Sequence, residues 1–496
     1  MMPPRRGPAT QPFWLFPAFV ALLMLPAPFG YGVVIAALAG AGMISIVRRA
    51  WKRRAMRAAA SEPGSVALGT DADGRPVMLA ERQLSAHGLI LGASGAGKST
   101  TMLTILGHQL ERGRPVIAID MKGSPEFAAQ LRAAAVQAGR RFRVWTPDGP
   151  EHWNPLQHGN ATELKDKLIA TERFTEPHYQ RAAERYVQMA LHVLHEARPA
   201  QAPTLDDVVA LMDPRRMSGM LRHVSRERAA RVQDYLADLT PDQLSAIRGL
   251  GTRLAIITES HSGRFLAPAA SAEAPAPEPP IDLRAALDGS EVVLFSLNSS
   301  RYGALAAQLG TLAVQDLVSA TGYRLEQAEG APADGRTRAQ AIVGIDEFSA
   351  LGSDNVISLL ARGREAGVSV LLATQELADL DRAAPGLRDQ ILGVTAVKIA
   401  HRQDVPASAR IIAELAGTEK VWEPTYQIAP GAFGGYATSR GTRRQVEQFI
   451  VHPNEIKRLK TGQAVVTSKL PDARTRTVRV TPPRARPAPD AGRELG

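Results

Sequence analysis

The chain of 496 residues contains no cysteine. That absence excludes a disulfide scaffold, a thiolate zinc site, an iron–sulfur cluster and a cysteine nucleophile. Aromatic residues are scarce, at 5%, so stacking platforms for single-stranded bases are not evident. No Ser/His/Asp grouping stands out, and His192 and His195, three apart on an expected helix, lack the further ligands that would complete a metal site. A large field of one charge is also missing from the body of the chain. The net charge is +10, yet Arg5, Arg6, Arg48, Arg49, Lys52, Arg53, Arg54 and Arg57 stand in a stretch without a single acid and leave only +2 for residues 58–496. From Pro471 onward six Arg face three acids, which leaves the remainder close to −1. A globally basic DNA-binding surface is not supported, and any polyanion has to be met locally, for instance in a channel formed by oligomerisation.

What is present begins with an uncharged run from Gly7 to Val47, broken by Pro26, Pro28, Gly30 and Gly32. A single span needs about 20 residues, so the run is expected to form two transmembrane helices, roughly Gln11–Leu25 and Tyr31–Val47, with lipid contacts. Basic flanks on both sides place the N-terminus and everything after Arg48 in the cytoplasm by the positive-inside rule. A secretory signal fits poorly, because Pro26 to Pro28 offers no small-residue cleavage site. The expected location is therefore a membrane, multi-pass, with the bulk of the chain cytoplasmic.

Beyond the anchor, apolar β-rich runs alternate with helical patterns, the signature of an α/β fold with a parallel sheet. Expected strands include His87–Leu91, Pro115–Asp120, Phe142–Trp145, Glu291–Leu297, Ala341–Asp346, Val368–Ala373, Val394–Ile399 and Ala464–Ser468. The expected domains are the anchor and basic segment (1–57), a parallel-sheet domain (58–155 and 281–470), an all-α insert (156–266), an Ala/Pro-rich linker (267–280) and a tail (471–496), disordered from about 481.

The motif that carries chemistry is Gly92-Ala93-Ser94-Gly95-Ala96-Gly97-Lys98-Ser99, followed by Thr100. It matches the G-x-x-x-x-G-K-[ST] phosphate loop in full, with an apolar strand leading in and a helical pattern leading out. Backbone amides and the helix N-terminus would cradle ATP phosphates, Lys98 would neutralise their oxygens, and Ser99 would place a hydroxyl on Mg²⁺. The partner motif is the buried-strand run Ala341–Ile345 ending in Asp346 and Glu347. Asp346 is expected to hold the Mg²⁺ shell and Glu347 to polarise the attacking water. One strand later, Thr374-Gln375 ends a buried run, and Gln375 is placed to sense the γ-phosphate. Between the two strands lie Arg362 and Arg364. Either can reach the ATP of a neighbouring subunit as an arginine finger, and Arg364 is the favoured candidate.

These residues resemble the membrane-anchored coupling ATPases of type IV secretion and conjugation, the TraD/TraG group, within the larger class of FtsK- and HerA-like pumps. Val116-Ile-Ala-Ile-Asp120-Met-Lys122-Gly123 is similar to that family's second strand, and Trp153-Asn154-Pro155-Leu156 to its entry into the all-α domain. Arg364 to Gln375 and the strand region Thr395–Arg402 resemble the family as well, over about residues 10 to 470. The resemblance implies a RecA-like P-loop motor of the bacterial inner (plasma) membrane that assembles into a homo-hexamer and uses ATP and Mg²⁺ to pass single-stranded, relaxase-linked DNA to a secretion channel. Its implied partners are relaxosome and type IV secretion channel proteins, with the all-α insert associated with substrate recognition. Three alternatives remain open at this point: an FtsK/HerA-like translocase or helicase not tied to conjugation, a receptor for secreted effector proteins, and a catalytically silent scaffold.

Overall fold

The computed structural model describes residues 65–483, apart from 173, 175, 269–277, 330–338, 352, 430–435 and 472. Except for 73–76, these belong to one compact unit, residues 63–72 and 77–496. Its strands are β1 (Val66–Thr70), β2 (Pro76–Leu79), β3 (Gly88–Leu91), β4 (Val116–Asp120), β5 (Phe142–Trp145), β6 (Val292–Ser296), β7 (Ala341–Asp346), β8 (Val368–Thr374), β9 (Val397–Ala400), β10 (Thr418–Ala429), β11 (Tyr436–Phe449), β12 (Gln463–Ser468) and β13 (Arg474–Val480). One sheet of 11 strands runs in the order β2-β1-β13-β12-β9-β3-β8-β7-β4-β6-β5. The part from β9 to β5 is wholly parallel. Beyond β9 it continues antiparallel through β12, β13 and β1. The α/β expectation with a parallel sheet holds.

Every residue of β3, β4, β7 and β8 is buried. Leu89, Leu91, Ile117 and Ile119 point into one apolar cluster, while Ile90, Val116 and Ala118 point into another with the helix Lys98–Glu111. Covering on both faces explains why these strands read as continuous apolar runs instead of alternating ones.

Between β5 and β6 the chain is helical: Ala161–Ile169, Pro177–Ala197, Leu205–Leu211, Pro214–Met220, Arg226–Ala237 and Pro241–Thr258. Reciprocal capping boxes at Asn160/Glu163, Thr204/Asp207 and Thr240/Gln243 start three of these helices. The helices share one continuous cluster with the sheet, since Tyr186, Leu191 and Leu250 join Leu309, Ile345 and Leu372. The two ends of the segment meet: the Trp153 N–H donates to Phe265 O at 2.9 Å, and the Ile281 N–H to His152 O at 2.7 Å.

A buried ionic network fixes that junction. Lys167, 1% exposed, donates to Asp316 Oδ1 at 2.8 Å and to the carbonyls of Pro155 and His158. Trp153 Nε1 donates to the other oxygen of Asp316 at 3.0 Å. Asp316 lies on the helix Ser299–Glu329, so one carboxylate ties the start of the helical segment to the sheet face.

Three features depart from the sequence reading. Among the described residues no helix is long and apolar enough to cross a membrane, which overturns the multi-pass inner-membrane location. The segments Gln11–Leu25 and Tyr31–Val47, on which that expectation rested, lie outside the described residues. Second, β13 extends the sheet into the expected tail, where only Val478 and Val480 are buried and the arginines face out. Third, β10 and β11 pair as a two-stranded antiparallel ribbon from Thr418↔Phe449 onward. Its described residues are mostly exposed, including Trp422 at 60%, so it carries no apolar run by which a strand is recognised.

Asp316→Ala leaves the buried Lys167 ammonium without its counter-charge and is expected to cost about 3–5 kcal/mol. Adding Lys167→Met should recover most of that loss, as read from thermal unfolding midpoints of the two variants.

Candidate functional site

Parallel strands end on the same side of a sheet, and here that edge gathers the polar residues. In register, Leu91 of β3 pairs with Thr374 of β8, Asp346 of β7 with Ala373, and Asp346 again with Asp120 of β4. The phosphate-loop sequence after β3 therefore stands beside Gln375 after β8. Glu347 after β7 and Lys122 after β4 follow in the same row.

The loop Gly92–Gly97 leads into the helix Lys98–Glu111, whose N-cap Gly97 has φ of 117° and offers no side-chain cap. A Cβ on Gly97 would lie 3.2 Å from the Gly462 nitrogen, so the left-handed turn and the close approach both require glycine. The uncapped first-turn amides carry the partial positive charge that attracts anions. Lys98 is 4% exposed, and its Nζ donates to Gly92 O at 2.6 Å. Burial, and then the ammonium of Lys122, holds its pKa below the ordinary value. Anionic phosphate is the compensation such a buried cation favours.

Ser99 Oγ donates to Asp346 Oδ2 at 3.0 Å. Thus the phosphate loop and the acid pair, 247 positions apart in sequence, converge. Burial, followed by repulsion from Glu347, raises the pKa of Asp346 against the pull of Lys122. Burial and the neighbouring Asp346 likewise raise Asp120. The anionic excess suits a divalent cation. Ser99 and Asp346 supply two oxygens, and among the described residues no group of three His, Cys, Asp or Glu completes a protein cage. A donor set that small fits Mg²⁺, which keeps several waters and takes phosphate oxygens.

Glu347 has φ of 56°, the left-handed region, and its N–H donates to Asp346 Oδ1 at 3.0 Å. Its carboxylate pairs with Lys122 Nζ at 2.6 Å. Lys122 was not among the sequence-derived site residues, although its strand-end acid and glycine were visible. Asp120 accepts from the N–H groups of Lys122 and Ser124 at 2.9 and 2.6 Å, curling the chain over its own carboxylate. Gly123 (φ 64°) then passes so close to Asn298 that a Cβ would lie 2.6 Å from the Asn298 Cβ.

His401 is a second residue that sequence reasoning missed. Fully buried behind the phosphate loop, it donates from Nδ1 to Gln463 O at 2.9 Å, which leaves Nε2 to accept from the Thr101 hydroxyl at 2.9 Å. Nearby, the Ala93 N–H donates to Arg402 O, and the Gly462 N–H to Ala96 O. The phosphate loop is thereby braced against β9 and β12. A lone histidine at the polar end of a strand, followed by Arg402, Gln403 and Asp404, gave no signal of this.

Gln375 is half-buried beside Glu376, which accepts from Ser408 Oγ at 2.8 Å. Arg364 is not brought to this edge. It lies exposed in the turn before β8, and the adjoining Gly363 is near His87, which precedes β3, whereas the phosphate loop follows β3. Arg362 is also exposed. Neither arginine serves the phosphate loop of its own chain.

Two family models match: "TraM recognition site of TraD and TraG" over residues 341–461, and the "FtsK/SpoIIIE family" over 46–128. No curated protein matches the sequence. Among solved structures, the bacterial conjugative coupling protein TrwB in its unbound monoclinic form superposes with a TM-score of 0.60 at 13% identity, covering 87% of this chain and 92% of that one. TrwB in complex with ADP and Mg²⁺ superposes with a TM-score of 0.55 at 15% identity, with the same coverage. VirB4 of Thermoanaerobacter pseudethanolicus gives 0.53 at 14% identity, covering 85% and 98%. The chain has their fold, and with the family models these matches bear out the resemblance to conjugation coupling proteins.

The buried histidines predict an acid limit to stability. Burial lowers the pKa of His401 to about 4 and that of His87 to about 4, against 6.5 for an ordinary histidine. The unfolded chain therefore binds more protons below 6.5. The contribution of these two histidines to stability should be complete above about pH 6.5 and be lost as the pH falls toward 4, by at most about 3 kcal/mol each. Thermal midpoints across that range should fall for the parent chain and fall less steeply for His401→Gln.

Proposed function

We propose that this chain is an ATP-hydrolysing motor that moves DNA, a coupling ATPase of the conjugation and type IV secretion type. The observation that carries the reading is the 3.0 Å contact between Ser99 and Asp346. It joins a complete phosphate loop to an adjacent acid pair at the open ends of parallel strands. The fold shared with TrwB, a protein crystallised with ADP and Mg²⁺ and described as a plasmid coupling protein, supports it.

In this reading ATP lies with its phosphates over Gly92–Thr100. The loop amides and Lys98 take up negative charge on the β- and γ-phosphates. Ser99 and Asp346 would hold Mg²⁺, which supplies further neutralisation of the phosphate oxygens when bound. Glu347 accepts a proton from the water that attacks the γ-phosphorus, and the β–γ bridging oxygen leaves with ADP. Gln375, at the end of the strand beside β3, reads the γ-phosphate. Arg364, at the opposite strand ends from its own loop, completes the site of a neighbouring copy in a homo-hexameric ring. The stretch 156–266 acts as the inserted all-α domain that meets substrate, single-stranded relaxase-linked DNA. The match to the FtsK/SpoIIIE model favours a second reading, a translocase of the same chemistry not tied to conjugation.

ATP hydrolysis by the full chain, with and without single-stranded DNA, double-stranded DNA and candidate cargo protein, tests this. DNA should stimulate turnover, and Glu347→Gln should lower it by about 10²–10⁴-fold, with Lys98→Ala also abolishing it. Stimulation by protein alone would replace DNA with polypeptide as the cargo. Mixing the inactive Arg364→Ala and Glu347→Gln chains should restore measurable hydrolysis, because an intact pocket on one chain then meets an intact arginine on the other. No recovery would remove Arg364 from the site.

A further inference from the structure

The turn that follows β4 is built more rigidly than a surface connection needs. Both oxygens of the Asp120 carboxylate are engaged by backbone N–H groups of the next four residues. On its outer side the turn is held by the chain after β6: the Leu297 N–H donates to Asp120 O at 2.9 Å, and the Ser299 N–H to Met121 O at 2.7 Å. Two residues in left-handed conformation, Gly123 (φ 64°) and Asn298 (φ 51°), pack against each other there. The residue this scaffold presents is Lys122.

The Lys122 ammonium reaches across the end of β4 to Glu347 at the end of β7, with Nζ 2.6 Å from Oε1. The Glu347 side chain is 13% exposed and that of Lys122 36% exposed, so the pair is partly shielded from water. Other charged groups face the same space. Lys98 approaches from the phosphate loop, Asp346 from β7 and Asp120 from β4, with Glu376 within electrostatic range of Lys98. Burial opposes the Lys122 charge, but Asp346 and Glu347 outweigh it and hold its pKa above the ordinary value.

We propose that Lys122 is a positioning residue for hydrolysis, aiming the Glu347 carboxylate at the attacking water from a backbone that Asp120, Gly123 and Asn298 hold fixed. The inference rests on the ATPase reading above. A carboxylate at the end of a side chain with three rotatable bonds gains most from such a fixed partner, because misplacement of a reacting group by about 1 Å costs on the order of 10²-fold in rate. Lys122 acts through Glu347 and not on the phosphates, which Lys98 and the loop amides already face.

The test is a kinetic cycle on the full chain with ATP and Mg²⁺. Lys122→Ala should lower kcat by about 10–100-fold while KM for ATP moves less than about twofold. Lys122→Arg, which keeps the cation, should recover part of the loss. In the Glu347→Gln background, adding Lys122→Ala should change single-turnover rates by less than about twofold, because a residue acting through Glu347 has nothing left to position. A raised KM with kcat retained would overturn the proposal in favour of a phosphate ligand. An unchanged kcat, or a loss that adds fully to that of Glu347→Gln, would overturn it as well. A large fall in the thermal midpoint with no rescue by Arg would reduce Lys122 to a structural role. If the parent chain hydrolyses no ATP the ATPase reading falls with it, whereas hydrolysis that is indifferent to Lys122 removes this inference alone.

Discussion

The parallel alignment of β3, β8, β7 and β4 is the constraint on which the rest of the molecule depends. Hydrogen-bond register fixes Leu91 beside Thr374, Ala373 beside Asp346 and Asp346 beside Asp120. Strands buried on both faces have no room for charged side chains along their length. Such groups are confined to the ends, and parallel direction puts four sets of ends on one edge. The site is a consequence of that confinement.

What gathers there is a cluster of charges that cannot be relaxed by solvent alone. Burial pushes Asp120 and Asp346 up in pKa and Lys98 down. Each shift states that the ionised form is costly in the folded protein. Lys122 offsets part of the acid excess by pairing with Glu347. In the proposed function a nucleotide phosphate would answer the buried Lys98, and a dication Asp346. The electrostatics of the chain and the chemistry proposed for it therefore have the same origin.

Two other polar devices hold this edge in place. His401, neutral and fully buried, bridges the helix that follows the phosphate loop and the start of β12. The antiparallel extension of the sheet thus acts as a backstop for the loop and is more than an edge cover. On the far side, Lys167, Asp316 and Trp153 pin the helical segment to the sheet face. Movement of the helical segment as a separate body would have to break a buried ion pair. Its core, continuous with that of the sheet, adds to the same restraint.

The local motifs were legible in the order of residues alone. Gly92–Ser99 reads as a phosphate loop because its glycines, lysine and hydroxyl are consecutive, and Asp346-Glu347 as its partner because a buried run ends there. The parallel-sheet class followed from continuous apolar runs between helical patterns. Which distant residues touch became visible only in the folded chain. Lys122 and Glu347 are separated by more than 200 positions and meet only through the β4–β7 register. His401 acquires its role from the burial of one ring between two strands and a helix, and no spacing rule encodes that. The exposed ribbon β10–β11 and the half-exposed strand β13 were illegible for a related reason. A strand that buries few side chains leaves little hydrophobic pattern, and its pairing is specified by backbone hydrogen bonds that every sequence can make.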